Sequence, residues 1–341
     1  MKDNQTKPEA IDFVITWVDG SDPAWLERKR SYMADSADDR PQRYRDWGLL
    51  PYWFRGVEKY APWVRKIHFV TCGHLPAWLD TSNPRLNVVN HADFIPEKYL
   101  PTFNSNPIEL NLFRIKDLSE RFVYFNDDTM MIGPVKPTDF FKDGKPVDML
   151  ALQPVVANPE NPTMSHILLN DSMVICKYFD KRAQMKKNFG KFFKPGYPAK
   201  YFIYNLLEFA FPLYTGFYTV HGPSPMMKST YEELWEKEAA LFDEVSSHKL
   251  RCDGDVTQYI FREWEKQKGN FVPRNLHRVF RYLDLSDTSG KNEKIITGRK
   301  YKSVCVNDTD KQIDFEKTKK SILTAFDSIL PERSSFEKQS H

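Results

Sequence analysis

The chain has 341 residues, 41% of them hydrophobic and 28% charged, and a net charge of +3 from 49 basic and 46 acidic residues. This composition predicts a packed globular protein of one large or two ordinary domains, and it excludes both disorder and a nucleic-acid binder relying on a broad basic face. Four widely spaced cysteines, Cys72, Cys176, Cys252 and Cys305, argue against a zinc cluster or disulfide scaffold and for free thiols in a reducing compartment.

Residues 1–10 form a polar tail without the apolar stretch of a signal peptide. Ile11 to Val18 is apolar and rich in β-branched residues, which predicts a buried strand ended by Asp19 and Gly20. Asp22 and Pro23 then read as an N-cap and first helical position. Leu49, Trp53, Val57 and Tyr60 recur at helical spacing, and Lys66–Cys72 and Leu86–Val89 are further strand candidates. Asn106, Pro107 and Glu109 resemble a capped helix start, with Ile108, Leu112, Ile115 and Leu118 on one face. Phe122–Phe125 is a compact strand that runs into Asn126, Asp127 and Asp128. Alternating strands and helices predict an α/β fold with a largely parallel sheet, and both polar turns fall at carboxyl ends of strands, where such folds bind ligands.

The second half reads as more helical. The longest charge-free run, Phe209 to Met227, carries Pro212, Pro223, Pro225, Gly216 and Gly222, which argues against a spanning helix. Ser229–Val245 opens on a capping box of Ser229 and Glu232, and Asp255–Lys268 predicts a helix with Asp255 as N-cap and Gly269 as stop. Ser286–Asp310 is polar and loop-rich, Phe315, Ile322, Phe326 and Ile329 mark a last amphipathic helix, and 331–341 reads as a loose tail.

Five constellations carry candidate chemistry. Asp127 and Asp128 at a strand end suit Mg²⁺ or Mn²⁺, which take hard oxygen ligands; a solvated turn is the bland alternative. Thr16-Trp17-Val18-Asp19-Gly20-Ser21 offers a tight turn before a helix N-terminus, suited to a nucleotide, or simply a capped turn with core tryptophans. His221 sits before a proline-rich loop where an imidazole could take a hydroxyl proton. Arg251 lies near Asp253 and Asp255, and arginine pairs with phosphate in fixed geometry. Finally, Lys181–Tyr218 interleaves Lys181, Arg182, Lys186, Lys187, Lys191, Lys194 and Lys200 with aromatics, which suits an anionic membrane, a lipid-linked acceptor or a polyanionic glycan as well as a solvated helical face.

In order, these blocks resemble the Stealth family of sugar-phosphate transferases, which includes bacterial capsule and exopolysaccharide phosphotransferases and the lysosomal-enzyme N-acetylglucosamine-1-phosphotransferase. The first block is Ile11-Asp-Phe-Val-Ile-Thr-Trp-Val-Asp-Gly-Ser-Asp-Pro23. The second runs from Arg45-Asp46 through Tyr60-Ala-Pro-Trp63, Leu100-Pro-Thr-Phe-Asn-Ser105 and Glu109 to Tyr124-Phe-Asn-Asp-Asp128. The third is His221-Gly-Pro223, and the fourth contains Arg251 and Asp255. Together they span residues 11–285, a catalytic domain with a helical acceptor-facing or membrane-facing insertion at about 180–218, followed by a loop and amphipathic helix over 286–330.

The resemblance implies a Rossmann-like, nucleotide-sugar transferase-like fold. It also implies transfer of hexose-1-phosphate from a UDP-sugar to a hydroxyl of a growing polysaccharide or lipid-linked oligosaccharide, with release of UMP and a requirement for Mg²⁺ or Mn²⁺. Asp19 and Asn126 match the donor site, with Thr16, Trp17, Gly20, Ser21, Asp46, Arg55 and Asn104 as further donor-contact candidates. Asp127, Asp128 and Asp255 match metal binding, His221 the base and Arg251 the phosphate contact. The short chain resembles a bacterial, cytoplasmic member, with peripheral membrane contact left open. Two other readings remain: a metal-dependent glycosyltransferase releasing UDP, and a silent glycan-binding module.

Overall fold

The apolar run after the N-terminal tail forms β1 (Ile11–Thr16), and a computed structural model describes the chain over residues 10–33, 45–308 and 311–339. Residues 1–9 and 340–341 of the two expected tails lie outside the described residues. After β1 come α1 (Pro23–Arg30), α2 (Leu50–Tyr60), β2 (Ile67–Thr71), β3 (Leu86–Asn90), α3 (His91–Phe94), α4 (Ser105–Asn111), β4 (Arg121–Phe125) and β5 (Thr129–Met131). Then follow α5 (Pro137–Phe140), β6 (Phe141–Lys142), β7 (Lys145–Asp148), α6 (Pro162–Tyr178), α7 (Lys181–Lys187), α8 (Phe189–Phe192) and α9 (Ala199–Leu207). The chain ends with β8 (Ser224–Met227), α10 (Lys228–Lys237), α11 (Ala239–Ser247), α12 (Tyr259–Lys268), β9 (Val272–Pro273), β10 (Phe280–Tyr282), α13 (Lys291–Thr297), β11 (Ser303–Cys305) and α14 (Phe315–Ile329).

The fold is α/β. Its main sheet has the order β3-β2-β1-β4-β8; the first four strands are parallel and β8 is antiparallel to β4. Because a strand alternates faces, β1 feeds two cores. Phe13 and Ile15 pack with Phe125, Phe69, α2 and α14 on one side, and Val14 packs with Val70, Tyr124, α4 and α10–α12 on the other. Trp53, fully buried, sits edge-on to Phe125 with ring centroids 5.4 Å apart. Both faces of the sheet are covered, so its central strands read as largely apolar runs, interrupted by the buried Asp12 of β1 and His68 of β2.

After β4 the chain turns at Asn126–Asp128 and leaves the main sheet. β5 joins β11 and β10 in a second sheet, in which Thr129 pairs with Cys305. The acidic turn therefore lies at the seam between two sheets, and β11 is delivered to it from the far end of the sequence.

Asp22 caps α1 as expected, accepting from the backbone N–H groups of Ala24 and Trp25. Elsewhere the helix starts move. α4 begins at Ser105 with Asn104 as its cap, two residues before the expected start, and it ends at Asn111 rather than continuing to Leu118. The expected helix over 229–245 is two helices broken at Glu238, which pairs with Lys177; Ser229 lies inside α10 and binds Glu120 instead of closing a capping box. Asp255 does not cap α12, which begins at Tyr259. Residues 286–308 are less loop-rich than expected, holding α13 and β11. The C-terminal stretch is docked rather than loose: Phe336 is fully buried, and Glu337 bridges to Leu79 and pairs with Arg55.

Candidate active site

The site grows from the carboxyl ends of two adjacent parallel strands. β1 and β4 pair Ile15 with Phe125, so Thr16–Asp22 and Asn126–Asp128 emerge side by side. Tyr124 ties them together from below. Its buried hydroxyl lies 3.0 Å from Thr16 Oγ1, donates to Glu109 Oε1 at 3.1 Å, and accepts from Asn126 Nδ2 at 3.2 Å.

The first turn is self-braced. Asp19 Oδ1 accepts from the backbone N–H and hydroxyl of Ser21. His74, which the sequence did not single out, lies beneath the turn: Nδ1 accepts from the Asp19 backbone N–H at 3.0 Å and Nε2 donates to the Asp22 carboxylate at 3.0 Å. Trp17 stacks on Phe69 and is half-buried, so one edge remains available to a planar ligand.

The second turn carries the charge. Asp128 Oδ2 accepts from His221 Nε2 at 3.1 Å and from the Cys305 thiol at 3.3 Å. His221 Nδ1 lies 2.7 Å from the Tyr259 hydroxyl. Burial disfavours charge on both Asp128 and His221, but their mutual attraction wins: the carboxyl is held below its ordinary value and the imidazole above its own. The pairing therefore favours carboxylate on Asp128 and imidazolium on His221. Asp127 behaves oppositely. Its side chain is exposed, yet crowding by protein atoms and then the adjacent charge of Asp128, with Asp46 adding to it, push its pKa up to about 7.

This donor set fits a hard divalent cation. Asp127 and Asp128 would supply oxygens, and a cation there would relieve the repulsion that, after burial, raises Asp127. Asp128, His221 and Cys305 also place ligand atoms within 4.8 Å of one another. Burial and the Asp128 charge hold the Cys305 thiol protonated, however, so it acts as a hydrogen-bond donor rather than a thiolate ligand.

Arg251 donates to Ser105 Oγ at 2.9 Å, at the start of α4. Its charge partly offsets the burial that raises the Glu109 carboxyl. Asn104 caps α4 through Oδ1 and donates through Nδ2 to Asp255 at 2.7 Å. Asn106, His248, Cys252 and Asn104 between them occupy both oxygens of the fully buried Asp255.

The structure thus gathers Thr16, Trp17, Asp19, Gly20, Ser21, Asn126, Asp127, Asp128 and His221 at the strand ends, with Asp46 in electrostatic reach and Arg251 beside Glu109. Three expected residues are not brought there. Asp255 lies outside the Asp128 cluster and groups instead with His248 and Cys252, where its oxygens also tie the Arg251 loop to α4. Arg55 makes a two-pronged ion pair with Glu337 and binds the Leu330 carbonyl, which fastens the C-terminus to α2. Asn104 is a buried brace rather than an open donor contact. Tyr259 and Cys305 were missed, and no local pattern marks either.

Gly222, between His221 and Pro223, also proves constrained: a Cβ there would come within 2.7 Å of the Phe280 ring.

The models for Stealth protein CR1, conserved region 1, and Stealth protein CR2, conserved region 2, match residues 9–37 and 43–148. Capsular polysaccharide phosphotransferase WcwK of Streptococcus pneumoniae is 42% identical over 333 residues, covering 96% of this chain and 99% of that one. Receptor polysaccharide phosphotransferase WefC of Streptococcus oralis is 38% identical over 333 residues, with the same coverage. Among solved structures, galactosyltransferase LgtC in complex with donor and acceptor sugar analogues aligns over 93% of this chain and 96% of its own, at 12% identity and a TM-score of 0.40.

Proposed function

Because the chain belongs to the Stealth family, we propose that it transfers hexose-1-phosphate from a UDP-sugar to a hydroxyl of a growing surface polysaccharide, forming a phosphodiester and releasing UMP. The observation that carries this reading is the chain Tyr259–His221–Asp128 at the carboxyl end of β4, with Glu109 within electrostatic reach of both His221 and Arg251.

The acceptor oxygen attacks the phosphorus next to the sugar. The new P–O bond forms as the bridging bond to UMP breaks, and the sugar's own C1–O bond stays intact. Such a reaction depends on positioning and on neutralising charge. Trp17 and the Asp19–Ser21 turn hold the nucleoside end. Asp127 and Asp128 would hold Mg²⁺ or Mn²⁺, which supplies Lewis-acid neutralisation of the diphosphate when bound. Arg251, steadied by Ser105, adds positive charge from the opposite side. In its neutral form His221, anchored at Nδ1 by Tyr259, takes the acceptor proton at Nε2.

The test is turnover of Asp128→Ala and His221→Ala with candidate UDP-hexoses and an oligosaccharide acceptor. Loss of activity in both, with thermal unfolding unchanged, supports the roles. Near-normal turnover in either removes that residue from the mechanism.

A further inference from the structure

Residues 181–213 carry the most concentrated exposed apolar surface of the described residues. Ile203, Leu206 and Leu207 of α9 are 56%, 61% and 59% exposed, and Leu213 is 60% exposed. Phe189, Phe209 and Phe211 are also exposed. The patch is contiguous: Phe193 lies between Phe189 and Phe209, with ring centroids 4.7 and 6.5 Å away. Large exposed apolar patches on a folded chain mark interaction sites.

The patch is built, not incidental. Lys181 is buried and donates to the carbonyls of Glu208, Phe211 and Leu213 and to the Glu208 carboxylate. A buried cation thus holds the 208–213 loop with its apolar side chains outward. The opposite face of α9 is anchored by Tyr201, which stacks on Tyr218 and His277. Lys181 therefore does not belong to the outward basic face that the sequence suggested.

The charge around the patch has one sign. From Lys181 to Leu213 the sole acid is Glu208, which is turned inward against Lys181. Arg182, Lys186, Lys187 and Lys200 are exposed and Lys194 half-buried. Asp180, just before this stretch, is spent capping α7. No helix among the described residues is long and apolar enough to cross a membrane.

We infer that α7–α9 and the 208–213 loop form a peripheral docking face for an anionic lipid bilayer, with Leu206, Leu207, Phe209 and Leu213 entering the interface and the flanking lysines meeting headgroup phosphates. Apolar insertion combined with a basic rim is the two-signal arrangement that gives stable surface binding, whereas a second copy of this chain would bring a like-charged rim against its own. The face is also close to the chemistry, since Tyr218, which stacks on α9, precedes His221 by three residues, a span of about 10 Å of chain at most. The bilayer would therefore present an acceptor carried on a lipid to the His221 side of the site.

The experiment is co-sedimentation of the full chain with vesicles of phosphatidylcholine alone and with added phosphatidylglycerol, at low and high salt. Binding that requires phosphatidylglycerol is expected. It should weaken about fivefold for each lysine removed in Lys186→Gln and Lys187→Gln, and fall by at least about tenfold in Ile203→Ser/Leu206→Ser/Phe209→Ser. Leu206→Ser and Leu207→Ser, each at a well-exposed position, keep the test valid should the triple variant misfold. Turnover on a water-soluble acceptor should be unchanged throughout. Absence of binding, equal binding by wild type and variants, or a concentration-dependent dimer abolished by the same substitutions would each overturn the proposal.

Discussion

Tyr259→Phe separates orientation from chemistry. The substitution keeps the buried ring and deletes only the oxygen lying 2.7 Å from His221 Nδ1. Burial holds the Tyr259 phenol protonated, so it is a hydrogen-bonding anchor and not itself a base. A hydrogen bond to a charged group is worth about 1.5–3 kcal/mol, and the His221 side chain is 32% exposed, so water replaces part of it. The lower end applies, about 1.5 kcal/mol, which is about tenfold in rate if the loss falls on the transition state. Steady-state kinetics should show kcat about tenfold lower, the donor KM unchanged, and a stability change of no more than about 1.5 kcal/mol by urea unfolding. A variant with wild-type kcat, or one whose whole defect lies in donor KM, would refute the anchoring of His221 by Tyr259.

Two other perturbations follow from the same geometry. Gly222→Ala places a Cβ 2.7 Å from the Phe280 ring, which itself packs in a small cluster with Val220 and Cys305. The crowding should cost about 1–3 kcal/mol of stability and lower turnover by displacing the His221 loop; an alanine variant as stable and active as wild type would show that the ring yields freely. Acid sensitivity should come in part from Asp12. Burial raises its pKa, but hydrogen bonds from His68 and Arg65 outweigh that and hold it at about 2. Its folded pKa is depressed, so the stabilisation is present above the unfolded value near 4 and is lost as pH falls towards 2. About 2 kcal/mol of stability should disappear across that window in wild type and not in Asp12→Asn, as measured by unfolding at each pH.

The elements that were legible in the sequence are those whose information is local. β1 and β4 are short apolar runs because both faces of the parallel sheet are covered, and Asp22-Pro23 declares its helix within three residues. The two polar turns, and through them most of the candidate site, follow from that. What stayed hidden depends on distant pairing. Tyr259 meets His221 across 38 residues and Cys305 meets Asp128 across 177, and neither partner carries a local pattern. Arg55 lay inside a block rich in site residues, yet its partner, Glu337, is 282 residues away in what looked like a loose tail. Asp255 read as a helix cap from its local pattern, but it does not cap α12; four donors converge on it from α4 and its own loop, a bracing role that only the distant pairing reveals.

The central claim is that the bond broken lies between the two phosphates of the donor, leaving the sugar joined to its own. The most direct measurement uses a UDP-hexose radiolabelled in the phosphate adjoining the sugar, with Mg²⁺ or Mn²⁺ and an oligosaccharide acceptor. Sugar-1-phosphate transfer predicts that the label enters the acceptor as a phosphodiester while unlabelled UMP accumulates in step. Label released as UDP, with a glycosidic product free of phosphorus, would contradict the account and make the protein a glycosyltransferase.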